Sequence, residues 1–257
     1  ISTVLIVFLL PSIYTTSAYD LNPNAILQAP SFEHFFGTDR LGRDIFARVL
    51  IGGQTSLIIG FLSAAIASIV GLFIGINAGF FKGNVDKGIT ILIDLFLTFP
   101  TFFLLLALVS YIQASSLVLI IVISITGWMG MARLIRSESF AISNKPYIKI
   151  LKLGSMNKTK IIFKYFAPLL APIFLISFTF GVGGAILAES GLSFLGLGIN
   201  PPQMSWGSLL SSGKAVLDIA WWVSFFPGLM IFIVTFSLMQ ISDFLQAKAN
   251  EKEIQTT

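Results

Sequence analysis

Five stretches of this chain are almost free of charge over the length needed to cross a bilayer. That constrains the fold more than any other feature. A spanning helix needs about 20 consecutive apolar residues. Residues 57–80, 114–132, 166–188 and 219–242 contain no Asp, Glu, Lys or Arg, and 88–112 contains only Asp94. Residues 1–10 form a sixth apolar run, too short to span. It is read as the outer end of a first span whose beginning lies outside this chain, with a signal-peptide core as the alternative. Composition agrees: 55% of residues are hydrophobic, 11% are charged and the mean hydropathy is +0.90. Soluble domains carry about 25% charged residues. The expected fold is all-α, a polytopic membrane helical bundle with six transmembrane helices, the first incomplete.

The segments between the runs set the organisation. Residues 11–56 are polar and mixed, 133–165 are basic, 189–218 are rich in Gly, Ser and Pro, and 243–257 form a charged tail. Tight turns are expected at 81–87 and 113–116. The stretch 133–164 holds eight of the sixteen Lys and Arg and a single acid, Glu138. Assigning loops alternately to the two sides puts twelve Lys and Arg on one side and four on the other. Positive loops stay in the cytoplasm. The basic segment and the C-terminal tail are therefore expected inside, and 11–56 and 189–218 outside, with residues 57–242 as the transmembrane core. Small residues recur in the spans, as in Gly71-Leu-Phe-Ile-Gly75, and let helices approach closely. No internal repeat is visible. A net charge of +4 fits cytoplasmic loops and not a nucleic-acid-binding face.

The basic segment has helical periodicity. Lys149 and Lys152, then Lys160 and Lys164, recur at three- and four-residue steps, with Ile148, Leu151, Ile161, Ile162 and Phe166 between them. Such a pattern suits either an interfacial helix on anionic lipid or a helix that docks a partner.

The segment Tyr147-Ile-Lys-Ile-Leu-Lys-Leu-Gly-Ser155, followed by Lys160-Ile-Ile-Phe-Lys-Tyr-Phe-Ala-Pro168, resembles the cytoplasmic "EAA" loop of permease subunits of ABC importers. Lys149, Ile150 and Leu151 occupy the Glu-Ala-Ala positions, and Ser155 stands at the Gly, with Gly154 beside it. Ile161 and Pro168 match. Phe36-Gly-Thr-Asp-Arg-Leu-Gly-Arg-Asp-Ile-Phe-Ala-Arg48 resembles the Gly-Thr-Asp-x-x-Gly-Arg-Asp segment of the dipeptide, oligopeptide and nickel branch. Glu189-Ser-Gly-Leu-Ser-Phe-Leu-Gly-Leu-Gly-Ile-Asn-Pro-Pro202 with Ser205-Trp-Gly207 is similar to the second outer loop of that branch's C-type permease. Asp86, Asp94 and Pro100 fit its third span. The resemblance implies a type I importer (MetI-like) permease fold. It also implies a homologous second permease, two ATPase subunits and an extracellular solute-binding protein. The cargo would be peptides, nickel or metal chelates. ATP-Mg would reside in the partner ATPases, with no cofactor in this chain. The coupling contacts implied are Tyr147, Lys149, Leu151, Lys152, Gly154, Ser155, Ile161 and Pro168.

The outer motifs have a structural and a functional reading. Asp39, Arg40, Arg43, Asp44 and Arg48 alternate in sign. They form either an ion-pair cluster at a helix start, with Thr38 or Asp39 as N-cap, or a rim that docks the binding protein. Pro201 and Pro202 fix a loop path, and Trp206 is either a headgroup-level anchor or part of an outer gate. Asp94 and Glu189 are read as buried polar groups. Asp94 would pair with Arg133 or Arg136, or the two acids would be transport sites of an ion- or proton-coupled secondary carrier. A non-transporting scaffold subunit is a third class. With no Cys and only His34, no metal-ligand cluster is expected. No phosphate-cradling loop is present, so ATP is not bound here by that route. No catalytic constellation is seen.

Overall fold

The structure is a computed structural model that describes residues 2–154 and 156–255. Among the described residues the regular structure is helical, with one isolated antiparallel bridge between Thr38 and Asp44. The long elements are α2 (Ile45–Phe81), α5 (Ser116–Asn144), α8 (Ala167–Phe194) and α10 (Trp222–Gln255). Shorter helices are α1 (Ser2–Leu9), α3 (Gly83–Leu97), α4 (Thr101–Ser110), α6 (Pro146–Leu153), α7 (Lys158–Ile161) and α9 (Trp206–Gly213). Among the described residues four helices are long and apolar enough to cross a membrane, and five if the bent pair α3–α4 counts as one span.

Several helices run further than the uncharged runs. The α2 helix begins at Ile45 and α5 continues to Asn144, so the first part of 133–165 is helical and not a connection. The charged tail is likewise the end of α10, helical to Gln255. The span expected at 88–112 is broken: α3 and α4 meet at 78°. Pro100 lacks an N–H and disfavours helix at the residue before it. Phe99 N–H accordingly turns back to Phe96 O at 3.3 Å, while Phe103 N–H restarts the ladder on Pro100 O at 3.0 Å. A second proline widens the entry to α8. In a five-residue π-turn (Ile162–Phe166) Ala167 N–H bonds Ile162 O, just before Pro168.

The chain forms two compact units, each built from separate stretches. The first comprises residues 1–62, 105–122 and 183–237; the second comprises 63–104, 123–182 and 238–257. In the second unit α2 lies directly against α5. A Cβ at Gly71 would stand 2.7 Å from Trp128 O, and one at Gly75 would stand 2.7 Å from Ala132 O. At Gly79 it would stand 2.7 Å from Phe140 N. Three glycines at four-residue spacing thus give α2 a bare stripe on which the α5 backbone rests. Beside it, Ile76, Phe80, Ile135, Ile142, Ile148 and Phe166 belong to a buried cluster of this unit.

Gly75→Leu is expected to lower stability by about 1–3 kcal/mol or more through overpacking. A Cβ at Gly88 would meet nothing within 4 Å, so Gly88→Ala should leave stability within about 1 kcal/mol or raise it. Thermal unfolding of the detergent-solubilised protein measures both.

Candidate functional site

In the first unit the Gly-Thr-Asp segment is a closed turn. Thr38 Oγ1 donates to Ala25 O and accepts from Gln28 N at 2.8 Å. Trp222 Nε1 donates to Thr38 O at 3.1 Å, and Gly37 adopts φ +72° beneath that indole, where a side chain has no room. Asp39 accepts from the backbone N–H of Leu41 (2.8 Å) and Arg43 (3.0 Å), and its other oxygen pairs with Arg43 Nη2 at 2.7 Å. Arg48 is buried, with Nη1 donating to Ala18 O at 3.0 Å and Nε 3.6 Å from Asp39. The N-cap of α2 is Asp44, not Thr38 or Asp39: its Oδ1 accepts from Ala47 N at 2.8 Å. Asp39 is unavailable because the turn consumes its oxygens. Asp44 Oδ2 also meets His34 Nδ1 at 2.9 Å and Tyr14 OH at 3.3 Å. Burial comes first among the causes that raise the Tyr14 phenol above its ordinary value, with the Asp44 charge adding to it. Of the five charged residues only Arg40 is left exposed without an ion pair among the described residues.

The second outer motif is anchored through Trp206. That side chain is fully buried, so it is not a headgroup-level residue. Its indole sits over Gly53, where a Cβ would come within 2.6 Å of the ring, and Nε1 donates to Val49 O at 2.9 Å. Its backbone N–H donates to Ser56 Oγ at 3.1 Å. Ser56 in turn donates to Glu189 Oε2 at 3.1 Å, and Ser193 donates to Oε1 at 2.6 Å. Glu189 is completely buried, and its carboxylate is satisfied by hydroxyls instead of a cation. Ser205 caps α9 in a reciprocal pair with Ser208. Pro201 and Pro202, joined by a cis peptide, remain exposed.

The second unit pairs the two acids of α3. Arg136 grips Asp86 with Nε and Nη2, the latter at 2.9 Å, and Arg133 Nη2 meets Asp94 Oδ1. Asp94 is not buried in this chain: its side chain is 56% exposed, as is that of Arg133. The reason is local. The α3 helix packs through Ile93, and one residue on, about 100° round the helix, Asp94 faces away.

The basic segment folds as α5 end, α6, α7 and the π-turn. Lys145 leaves helical geometry at ψ 136° and Pro146 takes the first position of α6. Asn157 caps α7 by accepting from Thr159 N at 2.9 Å. Ile148 and Ile161 are buried, so Ile161 is a core residue and not a surface contact. Lys152 is half-buried. Its Nζ donates to Phe80 O at 2.8 Å and lies 3.9 Å above the Phe80 ring. Burial, and then the Lys82 charge, hold its ammonium below the ordinary lysine range. Tyr147, Lys149, Gly154 and Pro168 are exposed and Leu151 is half-buried. Ser155 lies outside the described residues. Sequence reasoning passed over Ile150 and Leu153, which are 67% and 85% exposed. Their i, i+3 spacing on a short helix was the available signal.

The family pattern described as binding-protein-dependent transport system inner membrane component matches residues 67–251. The dipeptide transport system permease protein DppC of Alkalihalophilus pseudofirmus is 36% identical over 252 residues, 98% of this chain and 83% of the relative. The oligopeptide permease protein OppC of Haemophilus influenzae is 32% identical over 236 residues, 91% of this chain and 76% of the relative. OppC of Bacillus subtilis is 32% identical over 239 residues, 92% and 78% respectively. These relatives are named as transport permeases, not as enzymes. A chain of the MetNI methionine ABC transporter superposes with a TM-score of 0.62 at 13% identity, covering 78% of this chain and 97% of that one. That likeness concerns the fold, and it agrees with the expected MetI-like permease fold.

Trp206→Ala should cost about 3–5 kcal/mol. Glu189→Ala, which strands the Ser56 and Ser193 hydroxyls, should cost about 1–3 kcal/mol. Arg40→Ala should leave stability within about 0.5 kcal/mol. Thermal unfolding in detergent separates the three.

Proposed function

Because this chain belongs to the family of binding-protein-dependent transport system inner membrane components, we propose that it is one of two permease subunits of an ATP-driven peptide importer. The observation that carries the cargo class is the similarity to dipeptide and oligopeptide permeases over nearly the whole chain. Nickel and metal-chelate complexes, also within the resembling branch, are the cargoes an uptake experiment must separate from peptides. Neither the family nor the geometry supports an ion-coupled carrier. Asp94 is paired with Arg133, and Glu189 is enclosed by serines.

In this reading the six spans are α1 as the end of the first, α2, the broken pair α3–α4, α5, α8 and α10. The excess of Lys and Arg puts the basic segment and the C-terminus in the cytoplasm. A homologous permease completes the pathway, two ATPases carrying ATP-Mg dock below, and an extracellular solute-binding protein delivers from outside. The α6 helix is the mechanical handle. It presents Ile150 and Leu153, together with Tyr147 and Lys149, to the ATPase, and its seat on the chain is fixed by Ile148 and by Lys152 on Phe80 O. Closure of the ATPases on ATP moves α6, and with it the spans that end there, so that the pathway opens alternately to the two sides. On the outer side Arg40 and the Pro201–Pro202 loop are the groups free to meet the binding protein. Asp39, Asp44, Arg43 and Trp206 hold that surface in shape.

The test has two arms. Disruption of the gene should abolish uptake of labelled di- or oligopeptides, and peptide-independent growth should be unaffected. Loss of nickel uptake with intact peptide uptake would overturn the cargo. In the second arm, Ile150→Asp with Leu153→Asp should reduce ATPase co-purification by about tenfold or more, as removal of an interface anchor does, while membrane insertion is unchanged. Wild-type ATPase recovery from that variant would remove α6 from the coupling surface.

A further inference from the structure

A cavity of about 640 Å³ in the second unit gathers four lysines with no acid opposite them. Lys82, Lys149, Lys152 and Lys158 line it, together with Phe80 and Phe81. Among the described residues no carboxylate lies within ion-pair distance of any of the four; Asp86 and Asp94 are taken by Arg136 and Arg133. The lysines are steadied by neutral groups instead. Lys82 Nζ donates to Asn144 Oδ1 at 2.8 Å and lies 4.4 Å over the Phe140 ring. Lys158 lies 5.3 Å over the Phe81 ring. Lys152 bonds Phe80 O and feels the charge of Lys82, which depresses its proton affinity further after burial has done so. Four cations around one concavity repel each other, and an anion within it converts that repulsion into attraction.

We propose that this cavity binds the phosphate of an anionic phospholipid headgroup. Its position selects lipid over other anions. It lies at the end of α2: Lys82 is the first charge after the uncharged run 57–80, whose length matches a hydrocarbon core, which argues for a Phe80–Lys82 corner at the level of the headgroups. The Phe81 ring, 46% exposed, supplies an apolar wall beside the lysines that suits the start of an acyl chain. The cavity shares only Lys149 with the face proposed for coupling; Lys82, Lys152 and Lys158 make none of the contacts proposed there. A lipid held by those three leaves Ile150 and Leu153 open to a protein. The inference needs only that the chain crosses a bilayer, not that α6 docks an ATPase.

The intact transporter, purified from its native membrane in mild detergent, is titrated with phosphatidylglycerol, phosphatidylcholine or inorganic phosphate and read by native mass spectrometry. Phosphatidylglycerol should be retained in preference to the other two. Lys82→Gln with Lys158→Gln spares Lys152, which holds the end of α2. It should weaken retention about fivefold per lysine, roughly twenty-five-fold in all, and Lys82→Arg with Lys158→Arg should restore it. Lys160→Gln with Lys164→Gln, outside the cavity, should not change it. ATPase co-purification from the same samples should stay at the wild-type level. The proposal is overturned if the Lys82/Lys158 variant keeps the lipid as wild type does, or if the Lys160/Lys164 variant loses it equally. Inorganic phosphate binding as tightly as the lipid also overturns it. So does loss of ATPase with lipid retained, because the occupant would then be a partner's carboxylate.

Discussion

The close seat of α2 against its neighbours is the contact on which the other features depend. In the second unit Gly71, Gly75 and Gly79 bring the α2 surface onto the α5 backbone. In the first unit Gly53 does the same for the Trp206 indole, and Ser56, one turn on, bridges that residue to Glu189. Within a membrane there is no water to drive apolar surfaces together, so association rests on dispersion contacts and on hydrogen bonds that need short distances. A side chain at Gly71, Gly75 or Gly79 would separate the backbones, and one at Gly53 would displace the indole. The Ser143–Gly79 hydrogen bond at 2.9 Å and the Lys152 contact to Phe80 O both require the α2 end to stay where Gly79 puts it.

That seat also explains how charge is tolerated. Arg133 and Arg136 extend α5 beyond the uncharged run, and each meets an acid from α3. The charges are thus matched locally by ion pairs, and the helix proceeds to Asn144 without interruption. Glu189 is handled differently. Enclosed completely, it has hydroxyl donors on its oxygens and no cation. With Asp94 in an ion pair and Glu189 among serine hydroxyls, the structure lends the ion-coupled carrier no support.

The sequence revealed the membrane class and most spans because charge is a sharp signal in lipid. It located helix ends poorly for the same reason. A run without charge stops at the first Arg or Asp, whereas the helix continues wherever that residue finds a partner, as at Arg133, or reaches water, as at Asp243 in α10. The bend at Pro100 depended on a single residue inside a strongly apolar stretch, and the length of that nearly uncharged run overrode it. The burial of Trp206 and Ile161 and the capping role of Asp44 escaped the sequence because their environments are tertiary. Nothing adjacent in the chain tells that Gly53 opens a slot for an indole, or that the Asp39 oxygens are consumed before α2 begins.

The resemblance to the "EAA" loop acquires a physical content once α6 is seen in place. A helix of eight residues has little stability of its own. Here it is held by three different means: Ile148 in the core, Pro146 presetting its first turn, and Lys152 reaching back to the Phe80 carbonyl at the end of α2. Ile148 and Lys152 lie on one side of the helix, and Ile150 and Leu153 face away from them. In the coupling role proposed for α6, a force applied to Ile150 and Leu153 would reach the end of α2 through that seat. Replacing the acidic residue of the family loop by Lys149 does not remove that lever. It changes the sign of the charge beside it, and so changes which partners can approach: an acidic or phosphate-bearing surface is drawn in, and a basic one is held off.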